Sequence, residues 1–143
     1  MNKFIITVIL STVFISGCAL LEKGARELLG TSTSSVEASR PEAIKQIFNF
    51  DFDTCYEKSL VSLKDINTFL FAKDKKNKMI AVFVSEQDTT PVGVFFKVID
   101  ADNTQVEVSS PSTYARDLIG LRLFAKLTMY LNPIEENSTA PQQ

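Results

Sequence analysis

The chain has 143 residues, 45% hydrophobic and 22% charged, with 15 Lys or Arg against 17 Asp or Glu, the profile of one small globular domain. A formal net charge of -2 leaves no basic excess to neutralise phosphates, and the lysines are scattered apart from one turn-like cluster, which argues against nucleic acid as a partner. Histidine is absent, which removes Ser-His-Asp, Cys-His and His-zinc chemistry, and neither a metal nor a cofactor is expected.

At the N-terminus, Met1-Asn2-Lys3 is followed by an apolar run from Phe4 to Ile15 and then by Ser16-Gly17-Cys18. A charged start, an apolar middle and small residues at the end are the parts of an export signal. Such a run rises only about 18 to 20 Å as a helix against the roughly 30 Å of a bilayer core, so cleavage is expected rather than a permanent span. Ile15-Ser16-Gly17-Cys18 resembles the lipobox of bacterial lipoprotein signal peptides. That resemblance implies removal of residues 1–17, a diacylglyceryl thioether on Cys18 and an acylated new N-terminus. Each buried CH₂ of such chains contributes about 0.8 kcal/mol, so two or three chains hold a protein stably in the cell envelope. Ala19, where inner-membrane retention usually shows Asp, directs the resemblance to the outer membrane in a Gram-negative host and to the plasma membrane in a Gram-positive one.

Residues 18–35 read as the lipidated anchor, a short helix and a linker. Leu20, Leu21, Ala25, Leu28 and Leu29 recur at helical spacing, for a second membrane contact or a tether that packs on the domain. Gly30-Thr31-Ser32-Thr33-Ser34-Ser35 is a flexible linker by composition, and the folded domain is expected over residues 36–132. With Cys18 acylated, Cys55 is the one remaining thiol, and with no histidine to lower its pKa it reads as a buried small hydrophobe.

From Ile44 the pattern alternates through Gln46, Phe48, Phe50 and Phe52, predicting a strand. Thr54 with Glu57 forms a capping box, predicting a helix from Cys55 to Asp65. Four runs of period two follow, Thr68 to Lys73, Lys78 to Ser85, Val92 to Ile99 and Thr104 to Ser109, with turn residues between them. They predict an antiparallel meander. A last helix is capped by Ser110-Pro111 or Ser112, puts Tyr114, Leu118, Leu121, Ala125 and Met129 on one face, and stops at Asn132-Pro133. Residues 133–143 are predicted to be a disordered tail.

The fold class is therefore α+β, an antiparallel sheet of four to five strands with two helices on one face, in the order β-α-β-β-β-β-α. Val92, Val94, Phe96, Val98, Val106 and Val108 are expected to meet the helices, with Phe95, Lys97, Gln105 and Glu107 on a largely solvated opposite face. The stretches Asp88 to Phe96 and Thr104 to Ser112, with Gly30-Thr31-Ser32-Thr33, are similar to a family of small uncharacterised bacterial lipoproteins. The similarity implies the anchor and the domain and carries no catalytic residue.

Asp100, Asp102 and Thr104 resemble the start of an EF-hand loop, but Gln105 stands where Gly is needed and Pro111 where a bidentate Glu is needed, so a hairpin turn is expected. The carboxylate pairs Asp51 with Asp53 and Glu86 with Asp88 sit at turns and helix starts and read as capping or solvated groups. Lys73, Lys75, Lys76 and Lys78 crowd one hairpin, as a solvated turn or as a contact for anionic head groups and cell-wall polymers. Phe48, Phe50, Phe52, Phe69, Phe71, Phe83, Phe95 and Phe96 read as core filling. Thr89, Thr90, Ser109, Ser110 and Ser112 are the candidate partner contacts, because antiparallel pairing brings their loops to one end of the sheet; the same hydroxyls also read as those that turns and helix caps require. The expected function is that of a membrane-anchored, non-catalytic interaction or structural module for an envelope protein or cell-wall polymer. The alternative is a small-ligand binder or an enzyme with a carboxylate site.

Overall fold

Alternating apolar residues in the second half of the chain become a five-stranded antiparallel sheet in a computed structural model that describes Gly30 and residues 32–131. The chain divides into two compact units, Met1–Ser32 and Thr33–Gln143, and the architecture is that of the second. Cys18, the Leu20 to Leu29 helix and the tail from Asn132 lie outside the described residues. Helix α1 (residues 32–38) leads into a 3₁₀ turn at Arg40–Glu42, and strand β1 (Ile44–Phe48) and helix α2 (Phe52–Asp65) follow. Strands β2 (Phe69–Asp74), β3 (Met79–Phe83), β4 (Pro91–Val98) and β5 (Thr104–Ser109) form the predicted meander, and α3 (Thr113–Leu131) closes the fold. The order across the sheet is β1-β5-β4-β3-β2. Two parallel edge strands, β1 and β2, are thus joined by α2 crossing the sheet.

The helix ends follow local chemistry. Asp51, not Thr54, caps α2: its carboxylate accepts from Thr54 N–H, so the helix starts three residues before the expected Cys55 and cuts the first strand at Phe48. Asn67, at φ 61°, ends α2 in the left-handed region, with Asn67 N–H donating to Lys64 O and Thr68 N–H to Leu63 O, a Schellman closure. At α3, Ser112 is the cap, its hydroxyl accepting from Ala115 N–H at 3.3 Å.

Both long helices lie on one face. Val92, Val94, Phe96, Val106 and Val108 are buried there with Tyr56, Leu63, Ile119, Leu123 and Leu127. Val98, expected with them, is 44% exposed at the end of its strand, beyond the helices.

The opposite face departs from the expected solvated surface. Phe95 is 3% and Glu107 5% exposed, because α1 and Arg40 lie over the middle of the sheet. Val36 packs with Met79 and Phe95 in a second cluster. Gly93 makes the notch: a Cβ there would stand 2.9 Å from Val36 Cβ. Ser109 Oγ donates to Val36 O at 2.7 Å, and the Arg40 guanidinium sits 4.4 Å over the Phe95 ring while bonding Glu107 at 2.9 Å. Residues 32–35, read as linker from composition, are thus helical, since burial of Val36 and a Ser39 hydroxyl bond to Ser35 O outweigh the weak propensity of Ser and Thr.

Two further apolar assignments change. Phe69, Phe71 and Phe83 are not in the main core; they stack on the sheet face that carries Phe95, Phe71 and Phe83 at 4.2 Å between centroids. In α3 the buried side is Ala115, Ile119, Leu123, Leu127 and Leu131, whereas Tyr114, Leu121 and Met129 are 71%, 65% and 68% exposed. Of the face expected to seek the core, Leu118 is half-buried against it, while Tyr114, Leu121, Ala125 and Met129 point away.

Candidate functional site

Antiparallel register brings together the loops that carry the five candidate contacts. Gly93 pairs with Ser109, and Ser110 Oγ donates to Pro91 O at 2.7 Å, which places the segment before β4 beside the end of β5. Ser109 and Ser110 are buried, and their hydroxyls tie α1 and β4 to the sheet. Ser112 is spent on capping α3. Thr90 Oγ1 and N–H both bond to one oxygen of Asp88, closing an Asx turn, while Thr89 is exposed. The hydroxyls of Thr90, Ser109, Ser110 and Ser112 therefore find partners inside the fold.

The acidic groups are treated alike by their turns. Asp51 is held below the usual carboxylate range by hydrogen bonds from the side chain and backbone of Thr54. Asp88 is lowered by Thr90, and Asp100 by Asn103 and the Asp102 N–H in the β4–β5 turn. Asp53 pairs with Lys75 at 2.9 Å, and Lys75 also reaches Glu57 at 3.1 Å. Lys75 is raised by those hydrogen bonds, so the basic hairpin is partly neutralised by α2. General acid catalysis near neutral pH asks for a raised carboxyl, and these turns shift it the other way. Among the described residues no group of three or more His, Cys, Asp or Glu side chains converges to hold a metal, and no helix is long and apolar enough to cross a membrane.

Cys55 sits on the inner side of α2, fully buried, with its thiol 3.7 Å from Phe50 O. Burial pushes the thiol up to about 11, so at neutral pH it stays protonated and poorly nucleophilic.

Shallow depressions mark the surface formed by the described residues. A depression of about 580 Å³ is lined by Thr113, Tyr114, Asp117, Leu118, Leu121 and Arg122 on the outward side of α3. One of about 310 Å³ runs between α2 and β2, at Leu60, Leu63 and Leu70. Others open beside Asn67 and Glu86, about 340 Å³, and beside β1 and Thr128, about 130 Å³. None of the four gathers two carboxylates.

The outward side of α3 is the surface that sequence reasoning misplaced. The helix is apolar on two sides, and the signal that separates them is the unbroken i, i+4 run Ala115, Ile119, Leu123, Leu127, Leu131, which is buried throughout. The competing stripe, Tyr114, Leu118, Leu121, Ala125 and Met129, is bordered by Asp117, Arg122 and Lys126. No family model matches the chain, and no curated protein is similar to it in sequence.

Proposed function

We propose that the protein is a lipid-anchored component of the bacterial cell envelope whose α+β domain works through surface contact rather than through bond chemistry. The anchor rests on Ile15-Ser16-Gly17-Cys18 behind a charged and then apolar N-terminus. Ala19 favours the outer membrane in a Gram-negative cell. The observation that carries the contact reading is the stripe on α3, where Tyr114, Leu121 and Met129 are each about two-thirds exposed beside a shallow depression. Large apolar side chains left in water along one helix face mark an interaction surface. The turn hydroxyls and carboxylates support it from the other side, since their hydrogen-bonding capacity serves the fold.

Radiolabelled palmitate and photo-crosslinking in intact envelopes test the two halves separately. Label is expected in the wild type and not in Cys18→Ser; equal labelling of both ends the anchor reading. A photoreactive side chain at position 114 or 121 is expected to capture protein, whereas one at Lys97, on the other side of the sheet, is not. The double change Thr89→Ala with Thr90→Ala is expected to leave those crosslinks in place. Their loss moves the contact to the loops at the β4–β5 end.

A further inference from the structure

The α3 stripe has a period as well as a composition. Tyr114, Leu118, Leu121 and Ala125 are spaced four, three and four residues apart, the seam of a coiled coil, and Thr128 occupies the next step with Met129 beside it. The seam lies opposite the buried run of Ala115, Ile119, Leu123 and Leu127, and of its members only Leu118 is half-buried against the domain's own core, at the seam's edge.

The charges beside the seam select the occupant. Asp117 immediately precedes Leu118 on one flank and Arg122 immediately follows Leu121 on the other. They are five residues apart, the separation at which flanking residues of two parallel helices meet across the seam. We infer that α3 pairs in parallel with α3 of a second copy of this chain, with Asp117 of each copy bonded to Arg122 of the other. Arg116 Nε takes only Oδ1 of Asp117, at 2.8 Å, and a carboxylate accepts from two guanidinium groups. Antiparallel pairing fits worse, because each flank then meets its own counterpart and the Asp117 flank no longer faces the Arg122 flank. A lipid surface fits worse as well, because it would strip water from Asp117.

The inference deepens the contact reading and rests on it. A seam of two heptads buries roughly 800 Å² in total, below the 1,200–2,000 Å² of standard interfaces, so the pair is weak in dilute solution. Confinement of both copies to one membrane raises their effective concentration.

The test uses the full chain in bacterial envelopes. Leu118→Cys, Leu121→Cys and Ala125→Cys, each oxidised mildly, are expected to give a disulfide-linked band of twice the monomer mass, with Lys97→Cys as the negative control. Parallel pairing faces each seam position with itself, so all three link; a self-link at one position alone overturns it. Asp117→Arg is expected to cut the linked fraction at Leu121→Cys at least tenfold, and adding Arg122→Asp to restore it. Circular dichroism of each variant separates loss of pairing from loss of folding. Capture of a different protein at position 121 with no self-link overturns the inference and leaves the contact reading standing. Self-links that persist when Cys18 takes up no palmitate keep the pairing and end the anchor.

Discussion

On one side of the sheet Val92, Val94, Phe96, Val106 and Val108 are buried by two long helices; on the other Phe95, Glu107 and Ser109 are buried by a short helix, a 3₁₀ turn and one arginine. The first side is apolar almost throughout, and non-directional burial holds it. The second is stitched by placed polar contacts: Arg40 on Glu107, Ser109 on Val36 O, and Val36 in the notch at Gly93. Strand alternation divides residues between the two sides but says nothing of what covers each. One side is a core in the ordinary sense, and the other depends on a segment that arrives from the N-terminal end.

The comparison breaks first where burial is deepest. Leu123 is fully buried between α3 and the sheet, and Leu123→Ala is expected to cost about 2–5 kcal/mol in urea unfolding, the range for a leucine whose cavity stays open. A loss below about 1 kcal/mol means that the helix side is loosely packed.

Arg40→Ala probes the other side, with an expected loss of about 1–3 kcal/mol for a buried carboxylate left without its ionic partner. Burial pushes Glu107 up, but hydrogen bonds from Arg40 and Gln105 and the Arg40 charge outweigh it and hold the carboxyl below its usual value. A carboxyl lowered on folding adds stability that is complete above the unfolded value, about 4.3, and is lost as pH falls through the folded one. Without Arg40 burial prevails, so acid unfolding is expected to begin at a higher pH in Arg40→Ala than in the wild type. Coincident acid limbs refute the role given to the pair.

This contrast also explains what was legible beforehand. The meander and its turns were, because period two and the Asp-rich breaks are local signals: Asp74, Asp88 and Asp100 each accept from a residue two or three positions on. The burial of Phe95 and Glu107 was not, since it depends on Arg40 at a separation of 67 residues from Glu107. Nor was the inward face of α3, where two apolar stripes compete and the choice is made by β5 and α2. Of the candidate contacts, the meeting of the two loops was legible from strand pairing; the use of Ser109 to hold α1 was not, because α1 itself read as linker.

Cys55 sharpens the helix side in the alkaline direction. Its thiol is raised on folding to about 11, so its contribution is complete below the unfolded value, about 9, and is lost as pH climbs toward 11. A maleimide at pH 8 is expected to label the native protein at least tenfold more slowly than the protein in urea. Equal rates would place the thiol at the surface.

The smallest effect is also the one that reverses sign between the faces. Ser59 and Ser62 lie on the inner side of α2, fully buried, and their hydroxyls have no hydrogen-bond partner among the described residues. A buried hydroxyl without a partner forfeits its hydration and gains nothing in return. Alanine removes that penalty and is the better helix former by about 0.5 kcal/mol, so Ser59→Ala is expected to raise stability by about 0.5–1 kcal/mol. Ser109→Ala is the matched change on the other face. It deletes the 2.7 Å bond to Val36 O and leaves α1 held by Arg40 and Val36, for an expected loss of about 1–2 kcal/mol. Thermal unfolding of the two variants reads the difference directly: Tm rises in one and falls in the other. Two falls of similar size would mean that the hydroxyls of α2 are bonded after all, and that polar stitching is not peculiar to the face beneath α1.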